Sequence, residues 1–513
     1  MKKRLLALIL CLAMLLSLML TGCNGNNSTD GSGNGENDGK DQGNTNDPFG
    51  DNEVTDGSNK DIGAYGKSLE KLGAMQGYFN GRAGDIKIKC VSGTAGCYKV
   101  EGNVITFTSV KADSVYSISG KFSGSIVIDV GDAYKFDLEL SGLSMVSSDT
   151  NPITVLSGNE VSIKAQKDTS NYIYDTRSAV AENDTASYSG AIHSEVDLEI
   201  GGKGTLFVVS SNNNGIHSKN DLQVQNLSLT VSCRDNALKG NDSVQLDSAD
   251  LTLIATSGDA IKTSKSDISS KGNQRGTVSF ASGRYMLYAA GEGVDAAYNV
   301  TVETGVSLAI YTDKYSIHTE STSNVDYSTK GIKAANEVII SGGTIEIKSS
   351  DNAIHVNNDT PLENGATALG RLTVSGGEIS IYTRGEGLHA DGGLAINGGK
   401  TLIISNSDSL SAINAKNGYT YTAGCVVAIM PQCEAVGMAT NCTGFDGIGK
   451  QLSLSLVKGD YLGCVIGGNK LTFNIPVDMT AYVVLLGSSI SSAASPTSSS
   501  HSLAVGGYIW EQK

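Results

Sequence analysis

The sequence predicts an all-β protein: a parallel β-helix, a solenoid of about 22–24 residues per coil ending in a C-terminal β cap. Three observations predict it. The 513 residues include 62 Gly but only 6 Pro and one Trp, with short alternations of Val, Ile, Leu, Thr and Ser; this composition favours strands over helices. A phrase of small, apolar and polar residue recurs with its apolar anchor at Ile192, Ile216, Leu238, Ile261, Val294, Ile332, Ile354, Leu388 and Ile413. Further apolar residues then follow most anchors at fixed offsets of six and eight, as in Leu198 and Ile200 or Leu394 and Ile396. Fixed offsets over so many repeats imply three short strands per coil, stacked in register. At about 4.8 Å per strand, nine coils would span roughly 40 Å.

The elements follow in chain order. Residues 1–22 read as a lipoprotein signal peptide. Lys2, Lys3 and Arg4 precede an apolar run, and Leu20-Thr21-Gly22-Cys23 resembles a lipobox with Cys23 as the lipidation site. The run is short for a membrane-spanning helix. The expectation is a chain outside the cell, lipid-anchored to the outer face of a bacterial membrane and touching it only there. Residues 23–60 are Gly, Asn, Asp and Ser with few apolar side chains. They cannot bury a core, so they predict a disordered tether. Leu69, Leu72 and Met75 lie at helical spacing within a predicted N-terminal cap, residues 61–84.

Residues 85–419 form the predicted β-helix and carbohydrate-binding domain. Its first coils, to Arg177, are irregular but alternate well in Val104–Phe107, Ser125–Asp129 and Phe136–Leu140. Longer spacings place loops near 265–276, 312–329 and 357–370. Beyond Thr420 the repeat is lost, and residues 420–513 read as a cap of β-strands with a mobile loop over 488–500. Of nine Cys, Cys11 lies in the signal and Cys23 at the lipobox. Cys90 and Cys97 are spaced to bridge, but buried thiols are an equal reading for the remaining odd number.

A net charge of −15 without basic clusters argues against a nucleic-acid partner. No Gly-x-Ser-x-Gly, His-Glu-x-x-His or phosphate loop occurs. Strand alternation turns the anchors inward and their neighbours outward. The residue before every anchor is Gly or Ala and would floor a shallow track. The row after the anchors is His193, His217, Lys239, Lys262, Asp295, Lys333, His355, His389 and Asn414. Four of the chain's six His fall in this row. His193, His217, Lys239, Lys262, Lys333, His355 and His389 are the carbohydrate-binding candidates, with Lys and His suited to acidic sugars. Alternatively, the row only solvates the strands. Acids at the neighbouring turns, Asp259, Glu292, Asp295, Asp351, Glu386 and Asp391, are candidates for oxygen-ligated Ca2+. Turn chemistry alone also favours Asp and Asn. Tyr285, Tyr288, Tyr298, Tyr311 and Tyr315 are further candidates for stacking on sugars or for packing.

Several phrases together resemble the clostridial carbohydrate-binding domain family of extracellular parallel β-helix proteins. They are Tyr116–Gly124, Asp137–Leu143, Asn151-Pro152-Ile153, Ser157–Ile163, and the repeats Gly190–Ser194, Asn214–Lys219 and Gly331–Ala334. The resemblance covers roughly Asp85 to Gly418. It implies a right-handed β-helix similar to pectate lyases, binding of cellulose or acidic, pectin-like sugars, calcium in the turns, and no established catalysis. Asp259, Glu292, Asp295 and Glu386 occupy the matching turns, whereas Gly190, Lys330 and Ser411 depart from the acidic pattern.

The expected function is therefore a surface-tethered, non-catalytic, monomeric binder of plant cell-wall type polysaccharide, with Ca2+ at the turns. One alternative is a calcium-dependent pectate lyase, with Lys262 or Lys333 as its base. Another is a structural surface protein or adhesin.

Overall fold

A computed structural model describes residues 85–512 apart from 182–183, 185–187, 314–327, 360, 408–409, 432–448, 497–502 and 504–505. The predicted signal, Cys23, the tether and the N-terminal cap lie outside the described residues, as do most of the 312–329 loop and Tyr315.

The described residues form strands and no α-helix, arranged in a 20-stranded, a 13-stranded and a four-stranded sheet. The nine anchors pair one to the next in parallel along the 13-stranded sheet, from Ile192↔Ile216 to Leu388↔Ile413. All nine are buried in one apolar cluster with the inward residues of the larger sheet, such as Leu246, Phe280 and Ile381. A shift of one residue would turn that apolar set to solvent, which pins the register.

The predicted right-handed β-helix with a terminal cap is corrected in its architecture. Eight strands of the larger sheet close a ring through parallel pairings. They are Phe136–Ser147, Val161–Ala165, Leu198–Gly202, Asp221–Gln225, Ser243–Ala255, Ser228–Cys233, Thr205–Ser210 and Ser170–Asp175. Further strands and sheets add to this barrel. The physical reason lies in two strands that do not stop where a turn was expected. Phe136–Ser147 and Ser243–Ala255 each continue through the bend and so join two ladders. At the second bend the register shifts between Leu246, Asp247 and Ala249, and Ser248 adopts φ 52°. A bulge of this kind bends a strand without ending it.

Both ends also differ from a regular stack. Lys87–Ser92 runs antiparallel to Ser114–Ser123, and Tyr98–Glu101 forms a hairpin with Val104–Thr108. At the other end, Tyr419–Met430 continues the large sheet and pairs antiparallel with Met479–Gly487. The C-terminal strands also build a second core, in which Leu462, Leu471, Phe473 and Trp510 join Ile254, Tyr288, Tyr311 and Tyr382 of the large sheet. They therefore cover an apolar sheet face as well as an edge, which stabilises by removing apolar area from water. Part of the predicted mobile loop, Ile490–Pro496, is a strand.

Cys90, Cys97, Cys425 and Cys464 are free thiols, so the Cys90–Cys97 bridge is not formed. Burial pushes the Cys464 thiol up to about 12. Because the thiolate is the reactive form, Cys464 is expected to stay unlabelled by a maleimide at pH 7 in the native protein. Peptide mass mapping checks this, and labelling of Cys464 as fast as half-buried Cys90 would refute it.

Candidate functional site

The short strands of the 13-stranded sheet carry the candidate row. His193, His217, Lys239, Lys262, Asp295, Lys333, His355, His389 and Asn414 occupy equivalent positions on successive parallel strands. The Gly and Ala row before the anchors does not floor a track beside them. Ala191, Ala237, Ala260, Ala353 and Ala412 are buried in the main core. A Cβ on Gly215 would lie 2.2 Å from Val231 Cγ1, and one on Gly387 2.3 Å from Ile403 Cγ2. Gly387 precedes its strand, Leu388–Ala390, whereas Ala191 and Gly215 lie within Gly190–Ser194 and Asn214–Ser218, where every residue is buried and strict alternation does not hold. Their small size lets the 13-stranded sheet approach strands of the larger one, such as Ser228–Cys233 and Gly393–Ser405.

The row itself divides by exposure. His193, His217 and Lys239 are buried. His193 lies under Tyr188, with ring centroids 4.0 Å apart and planes 3° from parallel. Its Nε2 lies 2.8 Å from Glu195 Oε1, which also accepts from Lys219 Nζ at 3.2 Å. Tyr188 is held by a group the sequence reading missed. Arg177 Nη1 and Asn151 Nδ2 donate to its carbonyl at 3.1 and 2.8 Å. Arg177 Nε and Nη2 in turn donate to Asp175 Oδ1 and Oδ2, both at 2.8 Å. The only sequence signal was the Asp175-Thr176-Arg177 spacing, which is too common to interpret.

The middle of the row opens to solvent. The side chains of Lys262, Asp295 and Lys333 are 31%, 17% and 38% exposed. Lys262 Nζ donates to Asp259 Oδ2 at 2.7 Å and Asp295 Oδ2 at 2.8 Å. Lys333 Nζ lies 3.2 Å from Asp295 Oδ1 and 3.6 Å from Glu292 Oε1. Burial alone would lower both ammonium groups, but the surrounding carboxylates outweigh it and hold both above the usual lysine range. Burial, and then the Asp259 charge, raise Glu292 to about 7.

The last part of the row is a histidine pair held by carboxylates. The rings of His355 and His389 stack with centroids 4.1 Å apart. His389 Nδ1 faces Glu386 Oε2, and its Nε2 lies 3.0 Å from Asp391 Oδ1. Asn414 Nδ2 donates to Glu386 Oε1 at 2.7 Å, and Lys416 Nζ lies 2.6 Å from Asp391 Oδ1. Lys416 was not among the sequence candidates, although it stands three residues past its anchor Ile413, as Asp391 does past Leu388.

These contacts bear on the calcium implied by the family resemblance. Calcium takes about six to eight oxygen ligands. Asp259, Glu292 and Asp295 come together, but two ammonium groups occupy their inner faces. Asp351 is paired with Lys330 at 2.6 Å, and Glu386 and Asp391 with His389. With a lysine or histidine side chain already paired to each carboxylate, the six residues as placed do not fit a calcium ion. The tyrosine platform is not assembled either. Tyr285 is in the main core, and Tyr288 and Tyr311 are in the second.

The described strands thus present a row of paired lysines, acids and histidines along a parallel sheet. The chain belongs to the family described as "Carbohydrate-binding domain-containing protein", whose model matches residues 101–370. A relative of the same description from Acetivibrio thermocellus is 29% identical over 154 residues, covering 29% of this chain and 54% of that protein. The chain thus spans about half the length of the curated relative it matches. A solved structure described as the polysaccharide lyase-like protein from C. thermocellum, gadolinium derivative, is 20% identical. It aligns with a TM-score of 0.30, covering 65% of this chain and 93% of the other.

Proposed function

We propose that the protein binds a polysaccharide along the open stretch of the row, at Lys262, Asp295 and Lys333. The observation that carries this reading is the alternation of half-exposed donors and acceptors there, between neighbours that are buried. Paired charges of this kind can bind vicinal sugar hydroxyls, with ammonium groups donating and carboxylates accepting. The lysine charges are already matched by Asp259, Asp295 and Glu292, and the chain carries a net −15. A neutral, hydroxyl-rich glycan such as a cellulosic chain therefore suits the strip better than a polyuronate. The same pairing disfavours a lyase, since amines held protonated are poor Brønsted bases. Retention at the cell surface would come from lipidation at Cys23, tested by loss of labelled fatty acid in Cys23→Ala.

Depletion from solution by microcrystalline cellulose and by polygalacturonate, each with and without a chelator, tests the glycan. Binding to cellulose that survives chelation is expected. Lys333→Gln with Asp295→Asn should weaken it by about 10-fold or more, the equivalent of one or two charge-assisted hydrogen bonds. Wild-type affinity in that double variant, or retention by polygalacturonate alone, would overturn the reading.

A further inference from the structure

We propose that His355, His389 and Asp391 form a binding site for a borderline transition-metal cation, Zn2+ being the natural choice. Glu386 serves as the carboxylate that orients His389. This inference does not depend on which glycan binds, or on whether one does.

The register brings the two histidines together. His355 and His389 are directly paired on adjacent parallel strands, which aligns their rings at 4.1 Å. Asp391 follows at the turn, one residue past the strand Leu388–Ala390. One ligand atom from each of the three lies within 4.8 Å of the others. His389 Nε2 lies 3.0 Å from Asp391 Oδ1. Two ligands bonded at about 2.0–2.1 Å to one zinc ion stand at a similar distance from each other.

A second, independent observation points to a ligand. Both ring nitrogens of His355 are buried and have no hydrogen-bond partner among the described residues. Leaving a buried polar atom unmatched costs about 1–3 kcal/mol. A cation between the rings and Asp391 would take one of these lone pairs. The surrounding groups suit that role. Glu386 Oε2 faces His389 Nδ1, leaving Nε2 to point at Asp391. Asn414 Nδ2 and Asn352 Nδ2 donate to the two oxygens of Glu386 at 2.7 and 3.2 Å. A carboxylate behind a ligating histidine fixes its tautomer and raises its basicity. Asp391 Oδ2 accepts from Asn358 N at 3.3 Å. Lys416, whose side chain is half exposed, contacts Asp391 Oδ1 and is free to swing into solvent when a cation arrives.

The ligand set also selects the ion. Two imidazoles and one carboxylate suit zinc and its neighbours and do not suit calcium, which prefers oxygen ligands throughout. Three protein ligands leave a fourth position of a tetrahedron for water or for an oxygen of a bound molecule.

The test uses the untagged full-length protein, freed of metal by chelation and with no polysaccharide present. Titration with Co2+ should produce the visible ligand-field bands of a tetrahedral site, and equilibrium dialysis should retain one Zn2+ per chain. Zn2+ should bleach the cobalt bands, and excess Ca2+ should not. His355→Gln and Asp391→Asn should each abolish the bands, whereas Glu386→Gln should weaken Zn2+ binding by about 10- to 100-fold. Asp295→Asn, in the neighbouring cluster, should bind as wild type. Thermal unfolding of each metal-free variant confirms that it is folded. Where His355→Gln is not, His355→Asn takes its place. Absence of the bands in the wild type, their persistence without the His355 imidazole, or their loss to Ca2+ would overturn the site. None of these readouts involves glycan, so failure here is distinct from failure on cellulose.

Discussion

Arg177→Met is expected to destabilise the protein by about 3–5 kcal/mol, the usual cost of removing one partner from a buried ion pair. Arg177 is 3% exposed and Asp175 fully buried, so the substitution leaves a carboxylate without its cation and out of reach of water. What remains is partial compensation, because Asp175 Oδ2 also accepts from Ser210 Oγ at 3.1 Å and Asn213 Nδ2 at 3.3 Å. The guanidinium also holds the backbone at two further points, the carbonyls of Tyr188 and Gly190, each at 3.1 Å. Those bonds tie the segment after the strand Ser170–Asp175 to the start of the strand Gly190–Ser194. Urea unfolding of Arg177→Met, Asp175→Asn and the double variant would measure the effect. The double variant should be more stable than the sum of the single losses implies, because it removes both charges together. A loss below about 1 kcal/mol for Arg177→Met would mean that the pair behaves like a solvated surface bridge.

This pair also shows where the sequence stopped being informative. The anchors were legible because each is apolar, recurs near a fixed period and is preceded by a small residue. The pairing of Ile192 with Ile216, and of each successor with the next, follows from that pattern. The row of His193 to Asn414 was legible for the same reason, since a fixed offset from an aligned anchor is itself aligned. The barrel closure was not legible. It depends on whether Ser248 bends a strand or ends it, and either outcome preserves the spacing of Val244, Leu246, Leu251 and Leu253.

Exposure within the row was hidden for another reason. Periodicity says which face a side chain leaves from, but not what later lies across that face. His193 and Lys262 have equivalent places on their strands, yet Tyr188 covers the first and solvent reaches the second. Tyr288 and Tyr311 are outward on the large sheet but buried by strands from the C-terminal end of the chain. The charge partners were hidden in the same way. Lys262 reaches Asp259 three residues back and Asp295 on the next strand, and only the pairing of adjacent strands turns acids into counter-ions for a lysine of the same row.

The covered half of the row gives the second large effect, a loss of stability in acid through His193. Burial lowers the His193 imidazole from its ordinary 6.5 to about 4, against the opposing pull of the Glu195 carboxylate. The groups facing it are Tyr188, Glu195, His217, Lys219 and Arg177. At neutral pH the ring is therefore uncharged in the fold. Its Nε2–H donates to Glu195 Oε1, and its buried Nδ1 lacks a hydrogen-bond partner among the described residues. As pH falls below 6.5 the unfolded chain binds a proton here that the folded chain does not accept until about 4. The unfolded state is then favoured by mass action, so the stability present above pH 6.5 is lost progressively across that window. Its size is roughly 3 kcal/mol, from about 1.4 kcal/mol for each unit of difference. Glu195 is held below its ordinary range. Burial opposes this, but the hydrogen bonds from His193 and Lys219 prevail. Its own contribution falls away only below the carboxylate range, at the acid end of the same titration. Urea midpoints between pH 7.5 and 4.5 should therefore decline more steeply for the wild type than for His193→Gln, which keeps a donor for Glu195 without a titrating ring. The imidazole proton resonances of His193 should stay at their neutral position down to about pH 5. A midpoint near 6.5 for that ring would mean that Tyr188 does not exclude water from it, and the predicted acid slope would vanish with the burial that causes it.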